Sequence, residues 1–302
     1  ESGPAAGILM SAIAGKAEDR SDVITFDMGG TTAKLGAIDG GSPAIMPSFE
    51  IDLIRFKKGS GLPISVPAVE MVEIGAGGGS IARVDKGMIA VGPESAGAEP
   101  GPICYGLGGS EPTVTDANVV LGRIGTTRRL GGSIVIDAER ARASVAALAA
   151  RLQRPLGVEA LAEGIVTIAV ARMTSAIREI SIQRGHDPRD FTLIAFGGAG
   201  PMHALAMAEE IGIPRVLVPR HPGNFSALGL LAADIKHDDV RTRVGLLGER
   251  VPALIAAFAE METAARQQVE REGFALEQQR LLRSLDLRYR GQAFKLTLAL
   301  GE

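Results

Sequence analysis

The chain contains no tryptophan, two tyrosines and a single cysteine in 302 residues. One cysteine excludes a disulfide framework within the chain and suits a reducing compartment, so a cytoplasmic location is expected. Aromatic residues make up only 4% of the sequence, which argues against stacking platforms for single-stranded nucleic acid or long sugar chains. Neither sign of charge dominates: 32 Lys and Arg stand against 35 Asp and Glu, a net charge of −3, so no basic footprint points to nucleic acid. No apolar run reads as long and uninterrupted enough for a membrane span, and no charged-then-apolar leader opens the chain. Neither nucleic acid nor a membrane is therefore expected as a partner. Three catalytic signatures are also missing: the Gly-x-x-x-x-Gly-Lys-Ser/Thr loop, the Gly-x-Ser-x-Gly elbow and the His-Glu-x-x-His zinc helix.

What is abundant is glycine, at 39 residues, close to double the usual ~7% and suited to a protein of many tight loops. A hydrophobic content of 46% over this length supports one large or two ordinary domains. The densest signal is Val23-Ile24-Thr25-Phe26-Asp27-Met28-Gly29-Gly30-Thr31-Thr32-Ala33-Lys34-Leu35, a strand, a glycine turn and a second strand around one acidic residue. Glycines carry no Cβ, so the amides of Gly29, Gly30 and Thr31 can converge on a phosphate while Thr31 and Thr32 add hydroxyl donors. A carboxylate facing that phosphate requires a cation between them, and magnesium is commonly held by one or two carboxylates plus phosphate oxygens. Asp27 is thus the candidate catalytic and Mg²⁺-positioning residue, directly or through water. The competing reading is a plain hairpin with a tight Gly-Gly turn. A second glycine element, Gly197-Gly198-Ala199-Gly200-Pro201, follows the apolar strand Thr192 to Phe196 and opens a helix. Its free amides and positive helix end suit an anion or nucleotide.

Further elements read coarsely. Gly3 to Ala14 has small residues at helical spacing, Phe49 to Phe56 and Met88 to Val91 read as strands, and Asp137 caps an Ala-rich helix that Pro155 closes. Val158 to Arg184 and Val251 to Glu272 have helical apolar spacing, and strands close the chain at Leu281 to Tyr289 and Phe294 to Leu300. The alternation of strands and helices predicts an α/β sheet covered on both faces.

The order of Glu1-Ser2-Gly3-Pro4-Ala5-Ala6-Gly7, the Asp27 to Thr32 hairpin and Gly197 to Pro201 resembles the actin-like ATPase superfamily. Glu73 to Ser80, Ala96 to Gly106, Thr113 to Asn118, Arg184 to Pro188 and Gly223 to Gly229 are similar to the hydantoinase A and 5-oxoprolinase family. The resemblance implies an actin-like (ribonuclease H-like) ATPase core at 1–41 and 133–246 with a Gly/Pro-rich inserted subdomain at 42–132. Residues 247–302 would lead into a C-terminal region. It also implies an earlier Asp-x-Gly-Gly-Thr loop in an N-terminal lobe, so the chain is expected to be a central portion with half of a nucleotide cleft, inactive by itself.

ATP and Mg²⁺ are the implied cofactors, with Gly197, Gly198, Ala199 and Gly200 on the adenosine side. The implied reaction is ATP-dependent opening of a small cyclic amide, hydantoin or 5-oxoproline, by phosphorylation of its carbonyl oxygen, with a hydantoinase B-like subunit or domain as partner. Homo-oligomerisation stays open. Gly77, Gly78 and Gly79 are the candidate substrate loop, against a purely structural role in letting two subdomains touch. Cys104 reads as a buried, inert thiol more readily than as a nucleophile, and His203 as a packing residue more readily than a phosphate contact. Two other functions share these motifs: an ATP-dependent ketone carboxylase subunit, and a non-catalytic actin-like nucleotide switch.

Overall fold

A computed structural model of the chain describes residues 2–46, 48–51, 61–64, 66–154 and 156–301. It divides into two units, Glu1–Ala233 and Asp234–Glu302.

The first unit is built on a mixed sheet. Strands β1 (Val23–Met28) and β2 (Ala33–Asp39) form the predicted hairpin, and β3 (Ser42–Pro43) continues it antiparallel along one end of β2. Two small ladders follow, β4 (Ile45–Met46) with β7 (Ala68–Val69) and β5 (Phe49–Ile51) with β6 (Leu62–Ile64). The rest of the strand expected to reach Phe56 lies outside the described residues, as does Pro155. Strand β8 (Val72–Ile74) returns to pair with the other end of β2, so the segment at 42–132 contributes to the central sheet itself. Strands β9 (Ser80–Asp85) and β10 (Met88–Ser95) make a separate antiparallel ribbon, and β10 runs past the expected end at Val91. On the far side of β1, β11 (Thr192–Phe196) and β12 (Arg215–Leu217) add in parallel, giving the order β12-β11-β1-β2-β3. An antiparallel meander extended by parallel strands is the ribonuclease H-like arrangement on which actin-like ATPases are built.

Alternation along the strands sends side chains into two cores. Ile24, Phe26, Met28, Leu193 and Ala195 join one cluster with helices α3 (Ala138–Ala149), α4 (Val158–Ile180) and α5 (Gly200–Ile211). Val23, Ile194 and Phe196 face the other way, toward Ile8 of α1 (Ser2–Ala17) and Phe225 of α6 (Phe225–Ala232). The small residues of α1 allow this close approach. A Cβ on Gly7 would stand 2.6 Å from the Phe196 ring, and one on Gly229 of α6 would stand 2.0 Å from the Ala6 carbonyl oxygen.

With its short 3₁₀ continuation to Arg184, α4 is long and apolar enough by length and composition to cross a membrane, which corrects the expectation that no such stretch exists. Its apolar residues, among them Leu161, Ile165, Met173 and Ile177, are instead core of this unit. Such a helix passes any composition test because it packs on the sheet along one face and against neighbouring helices along others.

Helix α2 (Val114–Val120) begins in a capping box between Thr113 and Asp116. Helix α3 begins with the Asp137 carboxylate accepting from the Arg140 amide at 3.0 Å. Asp137→Ala should lower the unfolding free energy by about 1 kcal/mol, the usual value of an N-cap, measurable as a shift in urea midpoint without a change in slope.

The second unit contains α7 (Leu247–Arg271) and the hairpin of β13 (Arg283–Leu287) with β14 (Leu296–Leu300). Pro252 lies in the second turn of α7, where the helix begins earlier than the expected Val251.

Candidate nucleotide site

Asp27 sits next to the last residue of β1, on the face covered by α1 and α6, opposite Lys34 on β2 and Phe196 on β11. Its carboxylate is partly buried and accepts a hydrogen bond from the Ser226 hydroxyl at 3.5 Å. Burial raises its pKa above the ordinary carboxylate value, with Lys34 and Ser226 pulling the other way. A carboxylate made reluctant to ionise by its surroundings gains most from a cation brought to it. Among the described residues no three His, Cys, Asp or Glu side chains gather to hold a metal. A site offering the Asp27 carboxylate fits an Mg²⁺ that takes its other ligands from phosphate and water.

The turn after Asp27 is closed by the Gly29 amide donating to the Thr32 carbonyl at 3.1 Å. Among the described residues no hydrogen bond engages the Gly30 or Thr31 amides, and both residues are exposed. Lys34 Nζ donates to the Thr32 hydroxyl and forms an ion pair with Glu73 at 3.2 Å. Glu73 thus turns to Lys34, its register partner between β2 and β8.

The loop at Gly77–Gly79 lies against the back of this turn. The Gly78 amide donates to the Gly29 carbonyl at 3.1 Å and the Gly79 amide to the Gly30 carbonyl at 2.6 Å. The Gly78 carbonyl in turn accepts from both the amide and the hydroxyl of Thr115 at 2.8 Å. In this arrangement the glycine loop clamps the hairpin to the start of α2.

The second glycine element meets the first directly. Gly197 has φ of +82°, and a Cβ there would lie 2.4 Å from Asp27 Oδ1 and 2.5 Å from the Met28 carbonyl oxygen. The Ala199 amide donates to the Met28 carbonyl and the Gly197 amide to the Pro222 carbonyl, both at 2.9 Å. Gly198 is exposed with open space around it, and Gly200 starts α5 with Pro201 in its first turn. Beyond Gly197 and Gly198 an open cleft of about 490 Å³ is walled by Pro201, Met202, Pro222 and Arg123.

Two contributors escaped the sequence reading. Ser226 belongs to a segment notable only for its resemblance, and nothing local marks it as a neighbour of Asp27, 199 residues earlier. Arg123 follows α2, where a lone basic residue carries no signal.

Other candidates are placed elsewhere. His203 is 1% exposed and neither ring nitrogen has a partner; burial, then Arg123, pushes its pKa down to about 4. Cys104 is fully buried, and burial with the Asp116 carboxylate pushes its thiol up, so it is an inert core group. Asp116 itself accepts from the amides of Cys104 and Thr113, both at 2.8 Å, tying the Pro102–Tyr105 segment to α2. His186 packs edge-on to Phe191, and His237 pairs with Glu272 in the second unit.

Residues 1–239 match the sequence profile of the family described as Hydantoinase/oxoprolinase. The chain is 40% identical over 287 residues to the caprolactamase subunit alpha of Pseudomonas jessenii, covering 93% of this chain and 40% of that one. The solved ATP-dependent caprolactamase from that organism superposes with a TM-score of 0.75 at 35% identity, covering 98% of this chain and 42% of that one. A nucleotide-free acetone carboxylase structure superposes with a TM-score of 0.80 at 27% identity, again covering 98% and 42%. The acetophenone carboxylase gamma subunit of Aromatoleum aromaticum is 33% identical over 302 residues, 96% of this chain and 40% of that one. The chain thus spans about two fifths of the length of these relatives.

Proposed function

This chain belongs to the hydantoinase/oxoprolinase family, and from that premise we propose that it is the central ATPase portion of a cytoplasmic, ATP-dependent cyclic amide hydrolase. The observation that carries the reading is the meeting of both glycine elements at one half-buried carboxylate, Asp27. The 40% identity to a caprolactamase subunit supports a lactam as the substrate class.

In this reading the exposed Gly30 and Thr31 amides and the Thr31 and Thr32 hydroxyls hold the β- and γ-phosphates, with Gly29 shaping the turn. Asp27 would hold an Mg²⁺, directly or through water, and Gly197 to Gly200 support the nucleoside. The ion, when bound, neutralises charge on the phosphates. Lys34 is kept near the phosphate side by Glu73, but its commitment to that pair and to Thr32 makes it chiefly a brace for the turn. A lactam carbonyl resists water because of amide resonance. Transfer of the γ-phosphoryl group to its oxygen gives a phosphorylated imidate and ADP; one water adds at carbon, the C–N bond breaks to give an amine and an acyl phosphate, and a second water releases phosphate to leave an amino acid. Gly77 to Gly79 would act on substrate only indirectly, through the hairpin they hold. The ring-opening steps are assigned to the rest of the protein and to a hydantoinase B-like partner.

The similarity to acetone and acetophenone carboxylases supports a second reading, in which ATP activates a ketone or bicarbonate. Phosphate release by the intact protein and its partner separates the two. Stimulation by caprolactam, hydantoin or 5-oxoproline is the expected result, and stimulation by acetone with bicarbonate alone would move the chain to the carboxylases. Turnover indifferent to every substrate would favour a nucleotide switch.

A further inference from the structure

We propose that Arg123 reads the nucleobase in the cleft beside Gly197 and Gly198, making the segment that carries it a determinant of nucleotide specificity. The inference rests on the nucleotide reading of the site.

Gly197 abuts Asp27, so that edge of the cleft adjoins the phosphate turn. A nucleotide with its phosphates on the turn extends its nucleoside over Gly197 and Gly198 into the space walled by Pro201, Met202 and Pro222. Those walls are uncharged and offer flat apolar surface, which suits a planar ring better than a chain of phosphates. Arg123 is the one charged side chain lining the cleft among the described residues.

Its orientation is set from outside. Nη2 donates to both Glu163 carboxylate oxygens, at 2.9 and 3.1 Å, which anchors the guanidinium to α4. Nε and Nη1 make no hydrogen bond among the described residues, so three N–H donors and the planar face remain for a ligand. The ion pair is exposed and contributes little to stability, so its consequence is mainly directional. His203, in the first turn of α5, is buried with both ring nitrogens unpartnered and is held neutral. It neither repels the guanidinium nor draws phosphate away from the turn. A planar cation against an aromatic ring adds affinity that depends on the base being there.

The test compares Mg-ATP with Mg-tripolyphosphate, which has the phosphates without a base, by calorimetry on the intact protein. Arg123→Ala should weaken Mg-ATP binding about tenfold and leave tripolyphosphate within about twofold. Arg123→Lys, which keeps the charge but loses the plane and fork, should behave like Ala toward ATP. Equal losses for both ligands would make Arg123 a phosphate contact, and no loss for either would leave it a surface ion pair; each overturns the proposal. Failure of the unsubstituted protein to bind either ligand would overturn the nucleotide reading itself, a result visible before any variant is made.

Discussion

Asp27→Asn is expected to lower ATP turnover of the intact protein about a thousand-fold while leaving the unliganded protein at least as stable as before. The rate effect follows from losing a preorganised charge at the reacting phosphates, which typically costs 10²–10³-fold or more. The stability effect follows from the environment of the carboxylate. Burial raises its folded pKa above the ordinary 3.8, so the folded state binds the proton more tightly than the unfolded chain does. Ionised Asp27 therefore costs stability at every pH above its folded value, and the cost fades as the pH falls through that value toward 3.8. Asparagine removes the cost, so the melting temperature should rise at pH 7 and the difference from wild type should shrink in acid. Stability traded for a charged site is a common pattern. Turnover within tenfold of wild type would exclude Asp27 from the chemistry. A lower melting temperature at neutral pH would instead show that the Ser226 hydrogen bond outweighs the desolvation.

The second large effect is expected from Gly77→Ala, set beside Gly30→Ala. A Cβ on Gly77 would stand 2.5 Å from the Gly30 carbonyl oxygen and 2.6 Å from the Thr31 amide nitrogen. Both neighbours are backbone and cannot swing aside, so either the loop or the turn at Gly30 and Thr31 must move. A loss of about 3 kcal/mol in stability is expected, with ATP binding lost along with the turn's geometry. Gly30 is different: its φ is not positive and nothing lies within 4 Å of its Cβ position. Gly30→Ala should leave stability unchanged or raise it by about 0.5 kcal/mol, through a less flexible unfolded chain. It should still weaken ATP binding, because the added methyl occupies the space from which a phosphate approaches. Chemical denaturation and nucleotide titration of the two variants separate the roles. If Gly30→Ala binds ATP normally, the turn does not hold phosphate; if Gly77→Ala is as stable as wild type, the clamp is not needed.

Much of this architecture was readable before any coordinates, for local reasons. The hairpin at 23–38 is written in alternation and a Gly-Gly turn, and the cap of α3 in an aspartate before an Ala-rich run. One reading went astray where tertiary context overrides local pattern. α4 passes as a membrane-length apolar helix because helices and sheet enclose most of its surface. Glu73 pairs with Lys34 because antiparallel pairing of β8 with β2 sets those two residues opposite each other, a relation no local pattern shows.

The amino-acid sequence by itself determined the two glycine elements, the acidic residue at the first of them and the α/β class, since these depend on turn chemistry and side-chain period within a few residues. Only the tertiary structure decided that Gly197 presses on Asp27, that Ser226 reaches it from α6, that Gly77 to Gly79 brace the turn at Gly29 and Gly30 from behind, and that Arg123 faces the cleft. Those relations join residues tens to hundreds of positions apart. They arise from parallel pairing of β11 with β1 and from helices packed on opposite faces of one sheet, so no window of local sequence contains them.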